Sequence, residues 1–202
     1  MMKTRFVALA ALMAVAGVAL AQAPKPLPRG NATAAVNGKK VTIDYGRPAL
    51  KGRTLAELLK QLPPDRIWRA GENEVTMLTT EGALSIGTAT VPAGKYSVYV
   101  YAPATGDWAL ILNTDPGVPL KTIFPAAPPE RADHLWPILD GYAKIAAKEV
   151  VRVPMKSAPA KEPMDRFLIS LEPAKNGVSA ITLTWGDRAW TVDVKDAGKV
   201  SP

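Results

Sequence analysis

The sequence predicts a mainly β protein, a single antiparallel β-sandwich or jelly-roll-like domain. Three observations carry that expectation: many short segments alternate apolar and polar residues with a period of two, Gly, Pro and Asn turn signals separate them at close intervals, and convincing helical spacing occurs once. The chain has 202 residues, a formal net charge of +7 and no cysteine. Disulfides and thiolate metal sites are therefore excluded, and the domain must rest on its hydrophobic core.

The first 21 residues have the three parts of a secretory signal peptide. Lys3 and Arg5 form the positive start, Phe6 to Leu20 is an uncharged run, and Ala19-Leu20-Ala21 supplies a small-x-small cleavage site. The expectation is an exported protein, periplasmic or secreted, with no transmembrane segment after signal cleavage. Loss of Lys3 and Arg5 lowers the charge from +7 to +5 (7 − 2). The basic residues are spread along the chain without a block of like charge, so the charge reads as solubility and nucleic acid is not expected as a partner.

Residues 22–30 contain three prolines and read as an extended tether, with order beginning near Asn31. The domain spans 31–195, and 196–202 form a tail. Thr33 to Val36 and Val41 to Tyr45 flank Asn37-Gly38, a pair that tolerates the positive φ of a tight hairpin turn. At Thr54 the pattern Thr54-Leu55-Ala56-Glu57 is a capping box, in which hydroxyl and carboxylate satisfy each other's backbone N–H groups. Leu55, Leu58, Leu59 and Leu62 follow with helical spacing, giving one short helix near 54–62 that Pro63-Pro64 end.

Strands follow at Val75 to Thr80 and Ala83 to Ile86, separated by the turn signal Glu81-Gly82. Pro92-Ala93-Gly94 introduces a strand from Tyr96 to Tyr101, with Tyr96, Val98 and Val100 on one face and Ser97, Tyr99 and Tyr101 on the other. Tyr99 and Tyr101 are expected to pack against a second sheet, the alternative being a groove lining. Residues 115–138 hold six prolines and form a long loop, with a helical hint only at 131–139. Strands resume at Glu149 to Met155, Arg166 to Leu171, Ser179 to Trp185 and Ala189 to Val194, the last two joined by Gly186-Asp187 as a tight hairpin.

Charge, aromatics and turn residues concentrate in 44–74, on two polar arms that flank the helix. The segments Tyr45-Gly46-Arg47-Pro48-Ala49-Leu50-Lys51-Gly52-Arg53 and Trp68-Arg69-Ala70-Gly71-Glu72-Asn73-Glu74 resemble a bacterial family known as domain of unknown function 2911. Pro92-Ala93-Gly94-Lys95-Tyr96-Ser97, Trp108-Ala109-Leu110-Ile111-Leu112-Asn113 and Leu183-Thr184-Trp185-Gly186 are similar to it as well. The resemblance implies an exported envelope protein with a mostly β domain and no established activity, so no catalytic residue carries over. The chain departs from the family's pattern at 115–138, which is longer and richer in proline.

The ligand-binding candidates are Tyr45, Arg47, Lys51, Arg53, Trp68, Arg69, Asn73 and Glu74. Arginine offers paired N–H donors to a carboxylate or phosphate, and Trp68 or Tyr45 offers a stacking face for a ring. The competing reading is an ion-pair network, also drawing on Asp44, Asp65, Arg66 and Glu72, that pins irregular loops to the sheet. Glu72 and Glu74 share a face on an extended strand, the minimum for a glycosidase carboxylate pair. His134 is the only histidine, with no second His or Cys to complete a metal site, so no metal is expected. Nucleophile elbows and Gly-rich phosphate loops are absent, and no cofactor is expected. The functional expectation is a non-enzymatic envelope or ligand-binding protein whose partner is an unidentified small molecule or envelope component. The alternatives are a hydrolase of glycans or other envelope polymers using Glu72 or Glu74, and a structural or assembly protein of the envelope. Oligomeric state is not indicated.

Overall fold

In the computed structural model, residues 29–138 and 141–198 are described. The expected signal peptide, most of the tether and the end of the tail lie outside the described residues. The hairpin expected at Asn37-Gly38 forms from β1 (Gly30–Val36) and β2 (Lys39–Tyr45). Asn37 and Gly38 both have positive φ, so the turn has two residues and Lys39 already pairs with Val36.

The capping box is also present. Thr54 Oγ1 accepts from the Glu57 N–H and the Glu57 carboxylate accepts from the Thr54 N–H, starting α1 (Leu55–Leu59). Its leucines are half-buried against the core margin. Between them, the arms and α1 lead from β2 to β3 (Ile67–Trp68).

One sheet contains β1, β2, β4 (Met77–Thr80), β7 (Gly94–Tyr101), β8 (Ala109–Asn113) and β11 (Glu149–Pro154) in that spatial order, with β3 also paired to β7. A second sheet runs β12 (Lys156–Lys175), β13 (Val178–Asp196), β5 (Leu84–Ile86), β6 (Ala89–Val91). All the pairings are antiparallel. The turn at Glu81-Gly82 carries the chain from the first sheet to the second. One apolar cluster fills the space between the sheets, with Ile43, Leu78, Val98 and Leu110 meeting Phe167, Ile169, Leu183 and Val194.

Three expectations change. Gly186-Asp187 does not turn a hairpin: β13 runs straight through it, and the hairpin turn to β12 is Asn176-Gly177. Gly186 takes φ +60° and sits at a register irregularity opposite Met164. The irregularity, with extra residues on β12 between Pro159 and Leu168, coincides with a switch of the buried set of β13 from Ile181, Leu183 and Trp185 to Trp190, Val192 and Val194, the same phase change that a turn would produce.

The second helix, α2 (Leu120–Ile123), lies upstream of the helical hint at 131–139. There the chain instead forms a 3-10 turn at Pro129–Arg131 and the short strand β10 (Leu135–Trp136), paired with β9 (Val118–Pro119). Finally, Tyr99 does not face a second sheet. Val98 and Val100 do, whereas Tyr99 and Ile111 point to the opposite face, where Tyr142, Ile145 and half-buried Ile67, Tyr101 and Ile138 cover them.

Asn113 holds that cover down. It is fully buried; its Nδ2 donates to the Tyr142 hydroxyl at 3.1 Å and to the Ile145 carbonyl at 2.8 Å, and its Oδ1 accepts from the Asp115 N–H at 2.7 Å. The segment around Tyr142 therefore stands as a wall over one face of the first sheet.

Candidate functional site

The two arms meet backbone to backbone at Gly46. A Cβ there would lie 2.0 Å from the Glu72 carbonyl oxygen, so only glycine permits this approach. The arms are also strained. Of the six described non-glycine residues with positive φ, four are Lys51, Arg66, Ala70 and Asn73. Left-handed backbone at such residues persists only where surrounding contacts enforce it, and it concentrates at sites.

From the meeting point the second arm sends successive side chains to two different places. Glu74 goes to a polar clasp. Its carboxylate accepts from Arg29 at 3.0 Å and Arg131 at 3.1 Å, and pairs with His134 Nδ1 at 3.2 Å. Arg29 also donates to the Asp44 carboxylate and to the Val75 carbonyl, the latter at 2.9 Å, and the Arg131 guanidinium lies over the Trp136 ring. Burial alone would raise the Glu74 pKa, but the hydrogen bonds from His134 and Arg131 and the charge of Arg29 outweigh it and hold the carboxyl below its ordinary value. The clasp thus ties the entry to β1, the end of the second arm and the 131–136 segment into one knot.

Glu72, two residues earlier, lines a cleft of about 600 Å³ instead. Leu58, Leu62 and Pro63 form one wall and Ile138, Tyr142 and Ile145 the other, with Trp68, Arg69, Glu72, Tyr99 and Trp185 between them. Trp68 stacks on Trp185 with centroids 5.1 Å apart and meets Phe167 edge-on at 4.7 Å, so the aromatic floor of the cleft continues into the core.

Three polar groups in this cleft lack partners among the described residues. The Tyr99 hydroxyl, on a residue only 4% exposed, makes no well-formed hydrogen bond; Ser97 Oγ interacts with it but donates to the Asn113 and Asp115 carbonyls. Glu72 Oε1 is likewise buried and unpartnered. The Arg69 guanidinium, on a half-buried residue, makes no hydrogen bond or ion pair with a described residue. Burial lowers the Arg69 pKa while Glu72 and Tyr99 oppose that shift, so both lie within electrostatic reach of the Arg69 guanidinium. Burial, followed by the charge of Asp115, pushes the Tyr99 phenol up to about 12, so it remains an O–H donor.

The remaining candidates do other things. Tyr45 is 2% exposed, packs edge-on against Phe167 and donates its hydroxyl to the Ile169 carbonyl at 3.0 Å. Arg47 donates to the Phe167 carbonyl, the Lys51 N–H to the Asp165 carboxylate, and Arg53 to the carbonyls of Leu50 and Ala49. Arg66 clamps the carbonyls of Ala102 and Leu59. These contacts fasten the arms to β12 and α1; of the eight candidates, Trp68 and Arg69 alone line the cleft. Glu72 and Glu74 do not face a common cleft. His134 is exposed, as a loop residue should be, but it belongs to the clasp. Among the described residues no cluster of three or more His, Cys, Asp or Glu fits a metal ion, and no helix is long and apolar enough to cross a membrane.

Sequence reasoning missed Tyr142 as a cleft residue and Arg29 as a clasp residue. The Trp108–Asn113 motif was the available signal for the first, since Asn113 holds Tyr142 in place.

Comparison with known proteins gives one match. The family model described as protein of unknown function DUF2911 covers residues 27–194, so the chain belongs to that family. Neither the curated proteins nor the solved structures contain a match to it.

Proposed function

We propose that the protein is a non-enzymatic, exported ligand-binding protein, and that its binding site is the cleft between α1 and the Tyr142 wall. The supporting observation is that Arg69, Glu72 Oε1 and the Tyr99 hydroxyl, none with a hydrogen-bond partner among the described residues, line one concave and largely apolar space. Leaving a buried donor or acceptor unsatisfied costs about 1–3 kcal/mol, and more for a charged group. A fold that had no use for these groups would be more stable with apolar ones. Small-molecule sites have the same general composition, apolar walls with a few convergent polar groups. Export rests on the signal-peptide pattern, and an envelope ligand follows from that location.

The test needs no ligand. Tyr99→Phe removes a hydroxyl that is unsatisfied in the free protein, and Glu72→Gln removes a charge while keeping a polar side chain, so neither variant should melt below the wild-type temperature by more than about a degree or two. A fall of several degrees in either would mean that the group supports the fold, and the binding reading would fail.

A further inference from the structure

We infer that the cleft takes a small zwitterion with an apolar side chain, an apolar α-amino acid or a dipeptide of such residues. This rests on the reading of the cleft as a ligand site and adds the ligand's class. Three features of the lining select it.

The first is that both signs of charge are present without partners. A simple carboxylate would satisfy Arg69 and Tyr99 but would place its charge near Glu72, and a simple amine would face Arg69. A ligand bearing an acceptor and a donor on neighbouring atoms satisfies all three groups. The carboxylate accepts from the Arg69 guanidinium and the Tyr99 hydroxyl, and the ammonium donates to Glu72 Oε1. Arg69 and Glu72 are three residues apart on a loop bent by the left-handed Ala70, which suits a compact head group.

The second feature is the composition of the walls. Leu58, Leu62 and Pro63 on one side and Ile67, Ile138 and Ile145 on the other are apolar, while Gln61 and Asp65 also line the cleft. A sugar would need partners for hydroxyls around its whole ring, and the lining offers few: Gln61 and Asp65, the latter already accepting from the Ile67 N–H, beside Arg69, Glu72 and Tyr99. An apolar side chain, by contrast, gains about 25 cal/mol for each Å² it removes from water against such walls. The third feature is size, since about 600 Å³ accommodates a dipeptide as readily as a single amino acid.

Titration calorimetry of the purified protein tests the inference with leucine, phenylalanine and Leu-Leu as probes. N-acetyl-leucine, leucine amide and maltose are the controls. Saturable binding is expected for at least one zwitterion, weakened about tenfold or more when either charge is removed. The variants should cross over: Arg69→Met loses more affinity for leucine than for leucine amide, and Glu72→Gln loses more for leucine than for N-acetyl-leucine. No saturable binding by any of the three zwitterions overturns the inference, as does N-acetyl-leucine binding as tightly as leucine. Maltose binding that Arg69→Met abolishes would overturn the ligand class while leaving the cleft as a binding site. Failure of the cleft itself shows instead in the melting of Tyr99→Phe and Glu72→Gln.

Discussion

The clasp and the cleft are built from the same arm, two residues apart, and treat their charges in opposite ways. In the clasp the Glu74 carboxylate has three partners and every contact is internal. In the cleft Tyr99 is buried, Glu72 and Arg69 are half-buried, and all three are left without such hydrogen-bonded partners among the described residues. Satisfied polar groups rigidify a fold, whereas unsatisfied ones burden it unless something else completes them. The difference distinguishes the two carboxylates more sharply than residue type does, since both regions contain Arg and Glu beside aromatic rings; buried groups without partners also occur outside the cleft, at Trp136 Nε1 and Ser179 Oγ.

Gly46 should break both regions together, and its replacement has the largest expected effect. Gly46→Ala drives a methyl group into the Glu72 carbonyl and pushes the arms apart. A loss of roughly 3 kcal/mol in urea melts is expected, at the upper end for overpacking. Asn113→Ala comes next. It strands the buried Asp115 N–H and the Tyr142 and Ile145 groups at a cost of about 2–3 kcal/mol, and it should free the Tyr142 wall, seen as faster amide exchange at 142–145.

Acid should act on the clasp and spare the cleft walls. The folded Glu74 pKa is lowered, so the stability it contributes is fully present above the ordinary carboxylate value of 4.5 and is lost as pH falls through the folded value. Glu74→Gln should therefore destabilise the protein at pH 7 and flatten the decline of stability with acid below 4.5. A variant that melts in parallel with wild type at every pH would show that the clasp contributes nothing. The smallest effects are those in the cleft, where Tyr99→Phe should change stability by no more than about 1 kcal/mol, and upward.

What could be read from the sequence was local. The hairpin at Asn37-Gly38 and the capping box at Thr54 and Glu57 are each defined within four residues, and both form as expected. Gly186 was ambiguous because a bulge and a turn reset the alternation of buried residues identically; only the partner strand, with Met164 opposite, distinguishes them. Arg29 looked like part of a Pro-rich tether since its partners lie 15 and 45 positions away. Tyr142 sits in a 3-10 segment without periodicity and is placed by Asn113, 29 positions earlier. The arms were recognisable as special from their charge, aromatics and turn residues. How they divide their charges between a knot and a cleft depends on contacts that no local pattern encodes.

The most direct test pairs two identical substitutions, one in each region. Arg29→Met and Arg69→Met each replace a half-buried arginine with an unbranched apolar side chain, and their urea melts at neutral pH can be compared with wild type. Arg29→Met should lose about 2 kcal/mol because Glu74 and Asp44 are left without its guanidinium, and Arg69→Met should be neutral or gain up to about 1 kcal/mol. Equal losses in the two variants would contradict the account, because Arg69 would then be as much a part of the scaffold as Arg29.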